Sequence, residues 1–595
     1  MKSLSYLNKF LYRYRWRLIP GTLFVIISNI FGVLVPSIIR VAFDMVAENI
    51  SLYHLFSGYE RQTIIYDIFG YSMLLFGGIV LGLFLLRGLF LFLMRQTIIL
   101  VSRHIEYDLK NEIYNHYQKL SLAFYRRHNT GDLMNRVTED VSRVRMYLGP
   151  GIMYTINTVT LFIVAICFML TVNVRLTIFS IMPMPILVLT IYYVNNIIHF
   201  RSEKIQQRLS VLSSFVQENF SGIRIIKSYV REKSIRKSFA AESENYKTHS
   251  IALVKVQALF FPVMLLLVGL SNVIIMYVGG LEVMKGTITA GNIAEFIVYL
   301  NMLTFPVMSL GWVTSLIQRA AASQKRINEF LDQQPEILSP GVVTYAVKGR
   351  IDFDNVSFFY PDTGIKALRN ISFTAEPGQM IAIIGRTGSG KSTIANLIMR
   401  MYDTTDGQIL IDNQPVQQLN LEGYRSQVGF VPQEVFLFSD TIANNIAFSA
   451  DVLDLPGVEQ AAKDAAVYNN IVELEHGFDT LIGERGVTLS GGQKQRVSIA
   501  RAIVKHPQIL IFDDCLSAVD TRTEEEILSN LGNIMKDKTS IIIAHRISTI
   551  KNADKILVMD QGEIVEQGTH EQLMQQKKVY FELYEKQLLE EEENV

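Results

Sequence analysis

A glycine-rich segment at residues 385–393 carries the residue types that bind phosphate groups. It reads G-R-T-G-S-G-K-S-T, which fits the pattern G-x-x-x-x-G-K-[ST], and an apolar strand is predicted at 380–384 just before it. Glycines let backbone N–H groups wrap the β- and γ-phosphates, Lys391 neutralises phosphate charge, and the Ser392 hydroxyl can ligate Mg²⁺. The candidate phosphate-binding residues are Gly385, Arg386, Thr387, Gly388, Ser389, Gly390, Lys391, Ser392 and Thr393.

A second segment with phosphate chemistry covers residues 489–520. Its motif S-G-G-Q opens a predicted helix, so that free backbone N–H groups and the positive end of the helix dipole face an anion. The helix is predicted to end near Pro507, and the apolar run 509–512 predicts a strand of a parallel sheet that is buried on both faces. Asp513 and Asp514 follow at the carboxyl end of this strand, where open α/β sheets bind ligands. The candidate anion-binding residues of the motif are Ser490, Gly491, Gly492 and Gln493.

Together the two segments resemble the nucleotide-binding domain of the ATP-binding cassette (ABC) superfamily, and the resemblance covers residues 345–580. It implies that the chain binds ATP and Mg²⁺. It also implies that Tyr360 stacks on adenine, that Gln433 ligates the metal or orients water, and that His545 bonds the γ-phosphate. The implied site residues are Asp514, His545 and Gln433 for catalysis, Ser392, Gln433 and Asp513 for the metal, and Tyr360 and Asp520 for ATP, besides those named above.

One position departs from the family pattern, which has glutamate where this chain has Asp514. This carboxylate orients the attacking water, so its position matters more than its acidity. The aspartate side chain is shorter by one methylene, about 1.5 Å, and a misplacement of about 1 Å can lower a rate about 10²-fold. The sequence therefore predicts that Asp514 supports ATP binding and only slow hydrolysis.

The S-G-G-Q motif bears on the partner of this chain. In the superfamily, each ATP lies between the phosphate-binding loop of one domain and this motif of a second domain. The motif is intact here, so the resemblance favours a heterodimer in which the other half-transporter has the competent glutamate, and in which Ser490 and Gly492 complete the partner's site. The pattern around Asp514 resembles one half of bacterial heterodimeric multidrug-resistance-like exporters. A homodimer that uses Asp514 slowly at both sites is the alternative.

The composition indicates a membrane protein. Hydrophobic residues make up 49% of the 595 residues and charged residues only 19%, which is more apolar than an ordinary soluble enzyme. Lys plus Arg and Asp plus Glu both number 56, so no net charge attracts nucleic acid, and the two cysteines exclude a disulfide framework. Six apolar stretches are each long enough to cross about 30 Å of hydrocarbon as a helix. They lie near residues 18–40, 70–94, 150–173, 176–199, 258–280 and 292–317.

Charges and loop lengths indicate how these spans are oriented. Residues 1–19 carry five basic and no acidic side chains, whereas the loop 41–69 carries one basic and four acidic ones. By the positive-inside rule the N-terminus lies in the cytoplasm and the loop 41–69 lies outside. Six crossings then return the chain to the cytoplasm, so the C-terminus lies there too. The long polar segments 95–149 and 200–257 are predicted to be helical extensions of the spans, with tips that contact the ATP-binding domains. Within the second span, Arg87 either extends to the membrane interface or faces an anionic group of the cargo.

Several segments, in these loops and just before the S-G-G-Q motif, resemble segments of ABC exporters. Residues 124–140 are similar to the first intracellular loop and residues 218–227 to the second. Residues 480–486 are similar to a segment that contacts the partner's intracellular loop, which favours export over import.

We therefore expect a multi-domain chain. An all-α transmembrane domain of six helices with long intracellular helices covers residues 1–335, and a linker covers 336–348. An α/β P-loop ATP-binding cassette domain follows at 349–582, with an acidic tail at 583–595.

The expected function is ATP-driven export, or translocation between leaflets, of lipophilic or amphipathic compounds across the cytoplasmic (inner) membrane of a bacterium. One alternative is a homodimeric lipid or lipopolysaccharide flippase. Another is an ATP-gated channel or channel regulator.

Overall fold

The chain is described by a computed structural model. The structure describes residues 2–55, 58, 61–339, 346–450, 452–483, 489–515 and 521–593. It divides into two compact units. The helical unit comprises Met1–Tyr117 and Gly131–Gln333, and the α/β unit comprises Gln118–Thr130 and Gln334–Val595.

Thirteen α-helices precede residue 334 in the described part of the chain. They are α1 (Asn8–Arg13), α2 (Arg15–Leu55), α3 (Arg61–Met94), α4 (Leu100–Lys119), α5 (Leu122–Arg127), α6 (Thr130–Asn135), α7 (Val141–Met146), α8 (Ile152–Val172), α9 (Val174–Ile181), α10 (Met184–Ser221), α11 (Ile223–Ser228), α12 (Glu232–Met284) and α13 (Ala290–Leu331). Short π-helical turns, which insert one extra residue into the helical repeat, join some of them. These turns are Arg95–Ile99, Arg136–Asp140 and Tyr147–Gly151.

Among the described residues, six helical stretches are long and apolar enough to cross a membrane. They are Arg15–Leu55, Tyr66–Lys119, Thr130–Val172, Val174–Ser221, Glu232–Met284 and Ala290–Leu331. Each overlaps one of the six predicted spans, and the predicted third span, 150–173, extends one residue beyond its helix. A helix rises about 1.5 Å per residue, so the 53 residues of α12 extend well beyond about 30 Å of hydrocarbon. The third and fourth of these stretches are connected by a single residue, Asn173, whose side chain accepts a hydrogen bond from the Leu176 N–H.

A buried carboxylate joins the first and last spans. Glu295 of α13 is fully buried, and it accepts hydrogen bonds from Ser37 of α2 at 2.7 Å and from Tyr299 at 3.0 Å. The guanidinium of Arg40 lies 3.7 Å from the same carboxylate. A charge inside a membrane span is costly unless it is paired, and these contacts make Glu295 part of the packing between α2 and α13.

The α/β unit contains two sheets. Its strands are β1 (Ile351–Phe359), β2 (Lys366–Ala375), β3 (Met380–Gly385), β4 (Asp406–Ile411), β5 (Gln414–Pro415), β6 (Val428–Val431), β7 (Ile509–Asp513), β8 (Thr539–Ile543), β9 (Lys555–Asp560) and β10 (Glu563–Gly568). The smaller sheet has the order β2-β1-β4-β5, and β1 pairs antiparallel with β2.

The larger sheet has the order β10-β9-β3-β8-β7-β6, and its five strands from β9 to β6 are parallel. β7 is buried at every residue, as its unbroken apolar run predicts. Parallel strands end at one edge of a sheet. The turns that follow β3, β6, β7 and β8 therefore meet at this edge.

Helices cover the sheets. They are α14 (Lys391–Ile398), α15 (Leu421–Arg425), α16 (Ile442–Ala447), α17 (Leu455–Asp464), α18 (Tyr468–Val472), α19 (Gly491–Ile503), α20 (Thr521–Met535), α21 (Ile547–Ile550), α22 (His570–Gln576) and α23 (Val579–Glu593). α19 ends at Ile503, four residues before Pro507, as predicted.

Two features of the structure differ from the predicted domain boundaries. The segment Gln118–Thr130, within the predicted first intracellular loop, belongs to the α/β unit, and its Ala123 is buried in the same apolar core as Ile351. The residues after 582 continue as helix α23 to Glu593, and Leu583 and Tyr584 pack against the core of this unit. The segment is predicted to be an acidic tail because of its many glutamates, and that composition gives no sign of these apolar contacts.

Candidate nucleotide-binding site

A cavity of about 540 Å³ opens where the parallel strands of the α/β unit end. It brings together residues that are far apart in the sequence, because β3, β6, β7 and β8 all end at this edge. The predicted site residues that line it are Tyr360, Thr387, Gly388, Gly390, Lys391, Ser392, Thr393, Gln433, Asp513, Asp514 and His545.

The loop between β3 and α14 requires glycine at two positions. Gly388 has φ +82° and Gly390 has φ +100°, which are left-handed conformations that other residues rarely adopt. A Cβ atom at Gly390 would also lie 2.5 Å from the Ala367 carbonyl oxygen. The loop is therefore closely packed on the smaller sheet, with its backbone lining the cavity.

Lys391 is the buried cation of this loop. Its side chain is 6% exposed, and Nζ donates hydrogen bonds to the carbonyl oxygens of Gly385 at 2.9 Å and Arg386 at 3.1 Å. Burial lowers the pKa of Lys391, while the charges of Asp514 and Asp513 act in the opposite direction. A buried ammonium ion in a glycine-rich loop whose backbone lines a cavity is suited to binding polyphosphate.

The polar groups of the cavity fit a bound nucleotide and its metal. The Ser389 hydroxyl is buried without a hydrogen-bond partner in the described part of the chain, as expected for a group that completes its bonding on a ligand. Ser392 Oγ donates to Asp513 Oδ1 at 3.0 Å. With Gln433, these oxygen donors could hold Mg²⁺, which takes its remaining ligands from water and phosphate.

Asp513 is a carboxylate in a largely dry position. It is 4% exposed, and burial, reinforced by the neighbouring charge of Asp514, raises the pKa of its carboxyl group. The Ser392 hydrogen bond and the Lys391 charge partly offset this rise. A divalent cation would stabilise the ionised form further.

Asp514 adopts an unusual backbone conformation. Its φ is +46°, in the left-handed region where aspartate and asparagine are found more often than other non-glycine residues. Its Oδ2 accepts a hydrogen bond from Gln433 Nε2 at 3.3 Å and lies 4.0 Å from His545 Nε2. The three side chains predicted to act in catalysis thus meet at one point.

Tyr360 also lines the cavity. Its hydroxyl is 3.0 Å from Thr393 Oγ1, in the first turn of α14. Phe358 and Tyr402 contact the ring edge-on, with centroids 5.0 and 5.5 Å away. The tyrosine is therefore a rigid aromatic wall that a nucleobase could stack against.

Comparisons with known proteins agree with this geometry. Residues 18–307 match a family described as the ABC transporter transmembrane region, and residues 368–517 match the family described as ABC transporter. The multidrug resistance-like ATP-binding protein MdlA of Escherichia coli (strain K12) is 35% identical over 97% of this chain and 96% of its own length. The chain belongs to the ABC transporter family.

Other relatives show which branch of the family this ABC transporter resembles. An ATP-dependent lipid A-core flippase of Pseudomonas fluorescens (strain Pf0-1) is 37% identical over 84% of this chain and 83% of its own length. The solved structure of a bacterial Atm1-family ABC exporter with ATP bound has a TM-score of 0.75 and 29% identity, and it covers 96% of this chain and 98% of that chain. The chain is thus an ATP-hydrolysing ABC exporter with six helices that could span the membrane, and such exporters work as dimers within the membrane.

The S-G-G-Q motif of this exporter lies apart from its own cavity. Ser490 is the N-cap of α19, its Oγ accepts from the Gln493 N–H, and the Gln493 side chain accepts from the Ser490 N–H in return. Ser490 and Gly491 are exposed, and no residue of the motif is among the described residues that line the cavity. Asp520 and residues 484–488 of the predicted exporter segment lie outside the described residues.

One residue near the site escaped the sequence analysis. Gln587 of α23 holds the backbone that directly follows the His545 side chain, on both sides of Arg546. Its Nε2 donates to the His545 carbonyl oxygen at 2.5 Å, and its Oε1 accepts from the Ile547 N–H at 2.9 Å. Nothing in the sequence near Gln587 signals this contact, because it depends on where α23 packs.

We predict that Gln587→Ala lowers ATP turnover about three- to ten-fold while the KM for ATP changes little. The variant loses two hydrogen bonds that hold the His545 loop, each of which contributes about 1 kcal/mol, and a less ordered catalytic group lowers kcat more than binding. Steady-state ATPase kinetics of the full chain in nanodiscs measure this. Glu585→Ala, an exposed change in the same helix, is the matched control, and equal losses in both variants would contradict a role for Gln587.

Proposed function

We propose that this chain is the weak-site half of a heterodimeric exporter. It moves lipophilic or amphipathic compounds across the cytoplasmic membrane of a bacterium and keeps both termini in the cytoplasm. The observation that carries the proposal is an aspartate, Asp514, at the position of the water-orienting carboxylate, combined with an intact S-G-G-Q motif in the same chain.

The surroundings of Asp514 support slow hydrolysis at this chain's own site. Its carboxylate is one methylene short, and it is engaged by Gln433 at 3.3 Å. A short side chain on a left-handed backbone that is tied to the Ile543 carbonyl by the Asp514 N–H, at 2.9 Å, cannot easily reach farther. ATP at this site would hold the two nucleotide-binding domains together, while hydrolysis at the partner's site resets the pump.

The exposed motif and an exposed loop support a second subunit. Ser490 and Gly491 are exposed, where they would complete the phosphate site of a partner. In the second intracellular loop, Phe220, Tyr229 and Val230 are 72%, 75% and 78% exposed. Several strongly exposed apolar side chains within one polar loop are typical of a surface that another protein covers.

The rate of the chain by itself tests the proposal. We expect the full-length chain, reconstituted alone in nanodiscs, to bind ATP and to turn it over more slowly than about 1 s⁻¹, the low end of ordinary enzymes. Co-expression with a half-transporter that has glutamate at the position of Asp514 should raise the rate by at least an order of magnitude. Brisk turnover by the lone chain through Asp514 would favour the homodimer.

A variant of the motif provides an independent prediction. Ser490→Ala in this chain should lower turnover of the co-purified heterodimer at least ten-fold, because the motif would serve the partner's competent site. The same change at the equivalent serine of the partner should have little effect, since it would serve only the weak site around Asp514. Equal effects of the two changes, measured by ATPase assay, would contradict the assignment of strong and weak sites.

Lipid translocation is a second candidate function, and Arg87 favours it. The Arg87 side chain lies against Gly32 of the first span, where an added Cβ would lie 3.1 Å from the guanidinium carbon. Its Nε is buried without a hydrogen-bond partner in the described part of the chain. A cation inside a span marks a functional group by default, and here it suits an anionic lipid headgroup.

The two cargo classes give different responses in nanodiscs. Phosphatidylglycerol in a phosphatidylethanolamine bilayer should stimulate the ATPase of a flippase, and Arg87→Gln should abolish the stimulation. A fluorescent amphipathic cation should stimulate a drug exporter, and the same variant should leave that response intact. Phe84→Ala, an exposed change in the same helix, is the control for damage to the fold.

A further inference from the structure

Arg126 belongs to the α/β unit although it lies in the predicted first intracellular loop. It is in α5, the short helix Leu122–Arg127, whose Ala123 is buried in the core of this unit. Its guanidinium makes three contacts around the nucleotide cavity. It lies 4.7 Å from the ring centroid of Tyr360, 3.3 Å from the Tyr402 hydroxyl and 3.5 Å from the Asp362 carboxylate.

These contacts cover the ring that a nucleobase would stack on. Phe358 and Tyr402 meet the Tyr360 ring edge-on at interplanar angles of 81° and 87°, and the Tyr360 hydroxyl is engaged by Thr393. Arg126 lies over the ring, and Arg126 and Tyr360 both line the cavity. A base that stacks on Tyr360 from the cavity would take the place of the guanidinium.

We propose that Arg126 is a positioning residue that competes with the nucleobase for Tyr360, so that binding of the base releases the end of α5. The inference rests on the proposed function, which assigns the cavity to ATP. Stacking of a base on an aromatic ring is stronger than a partly solvated cation–π contact, so the exchange favours the bound nucleotide. The phosphates alone leave the Arg126–Tyr360 contact in place.

The exchange would transmit base occupancy along the chain. Only two residues separate α5 from Lys119, the last residue of α4, and α4 continues the helical stretch of the second span. When the base takes the face of Tyr360, Arg126 also loses the geometry that directs it to Tyr402 and Asp362. The segment 122–127 then loses three of its contacts to the rest of the α/β unit at once.

Equilibrium binding to the full-length chain in nanodiscs, without Mg²⁺ so that no hydrolysis occurs, tests the competition. Arg126→Ala should tighten ATP binding about two- to five-fold, the equivalent of one cation–π contact, and should leave inorganic tripolyphosphate binding unchanged. Arg126→Lys, which keeps the cation, should restore most of the wild-type affinity. Arg127→Ala is the matched control, because Arg127 pairs with Glu336 and contacts neither tyrosine in any described interaction.

Other results would overturn the inference. Weaker ATP binding by Arg126→Ala would make Arg126 a wall of the base pocket instead of a competitor. An equal change for ATP and tripolyphosphate would mean that it acts on the phosphates through its charge. Failure of the proposed weak-site function is distinguishable, because the wild-type chain would then bind ATP and turn it over briskly through Asp514. If ATP binds but Tyr360→Leu leaves its affinity unchanged, the base does not stack on Tyr360 and the inference falls alone.

Hydrogen–deuterium exchange of the segment 122–127 provides a readout that a purely structural role of Arg126 would not change. In the wild type, ATP should speed exchange of this segment, and tripolyphosphate should not. In Arg126→Ala, exchange should be fast without nucleotide and should no longer respond to ATP. Identical responses to ATP and tripolyphosphate in the wild type would contradict the release of α5 by the base.

Discussion

Replacing Asp514 by glutamate should raise ATP turnover of the chain about 10- to 100-fold. The change extends the carboxylate by one methylene, about 1.5 Å, toward the position from which it can orient the attacking water. A misplacement of about 1 Å can lower a rate about 10²-fold, so its correction should raise the rate by a similar factor. The measurement is the steady-state ATPase rate of the full chain in nanodiscs, with ATP affinity determined separately by equilibrium binding without Mg²⁺.

Two further measurements show that the gain comes from position. Asp514→Asn has nearly the same shape without the charge, and it should hydrolyse ATP no faster than the wild type. Asp514→Glu should also melt at a lower temperature without nucleotide, because the left-handed backbone at this position accommodates aspartate better than glutamate. If Asp514→Glu leaves turnover unchanged, the carboxylate does not limit the rate and the weak-site assignment is wrong.

Removing the Lys391 ammonium group should weaken ATP binding about 10- to 100-fold. A hydrogen bond to a charged group contributes about 1.5–3 kcal/mol, and each 1.4 kcal/mol is a factor of ten in affinity. Lys391→Met retains the length of the side chain and loses only the charge and its hydrogen bonds. Isothermal titration of ATP into the full chain measures the loss.

The effect must be separated from damage to the loop, because Lys391 Nζ also donates to the Gly385 and Arg386 carbonyl oxygens. The Met variant no longer buries an ammonium ion, and burial lowers the pKa of Lys391. Its melting temperature without nucleotide should therefore stay within a few degrees of the wild type. Lys536→Met, at an exposed lysine of the same unit outside the cavity, is the control and should change affinity far less. Unchanged ATP affinity in Lys391→Met would remove Lys391 from the phosphate site.

Most of the cavity could be predicted because its chemistry is local. The glycine-rich loop, the aspartates after β7 and the histidine after β8 each follow an apolar strand of recognisable length. Residues that follow parallel strands lie at one edge of a sheet. The predicted residues therefore come together because β3, β8 and β7 are neighbours in the sheet. The six apolar stretches were equally plain, since hydrocarbon thickness sets their length.

Arg126 and Gln587 could not be predicted, because each acts through contacts between segments that are distant in sequence. Arg126 is 234 residues from Tyr360, and Gln587 is 42 residues from His545. Both lie in segments for which the sequence predicts another role. Arg126 lies in a predicted intracellular helix, and Gln587 lies in a predicted acidic tail. Neither charge pattern nor helical periodicity records which surface a short helix packs against.

The sequence by itself determined the class of this protein, its six spans, the P-loop chemistry and the substitution of aspartate for glutamate. These features depend on residue type and on spacing along the chain. The tertiary structure decided that a loop arginine covers the base-stacking tyrosine, that the last helix holds the histidine loop, and that Asp514 lies on a left-handed backbone between Gln433 and His545. Such contacts arise only when the packing of sheets and helices brings distant segments together, so no short stretch of sequence contains them.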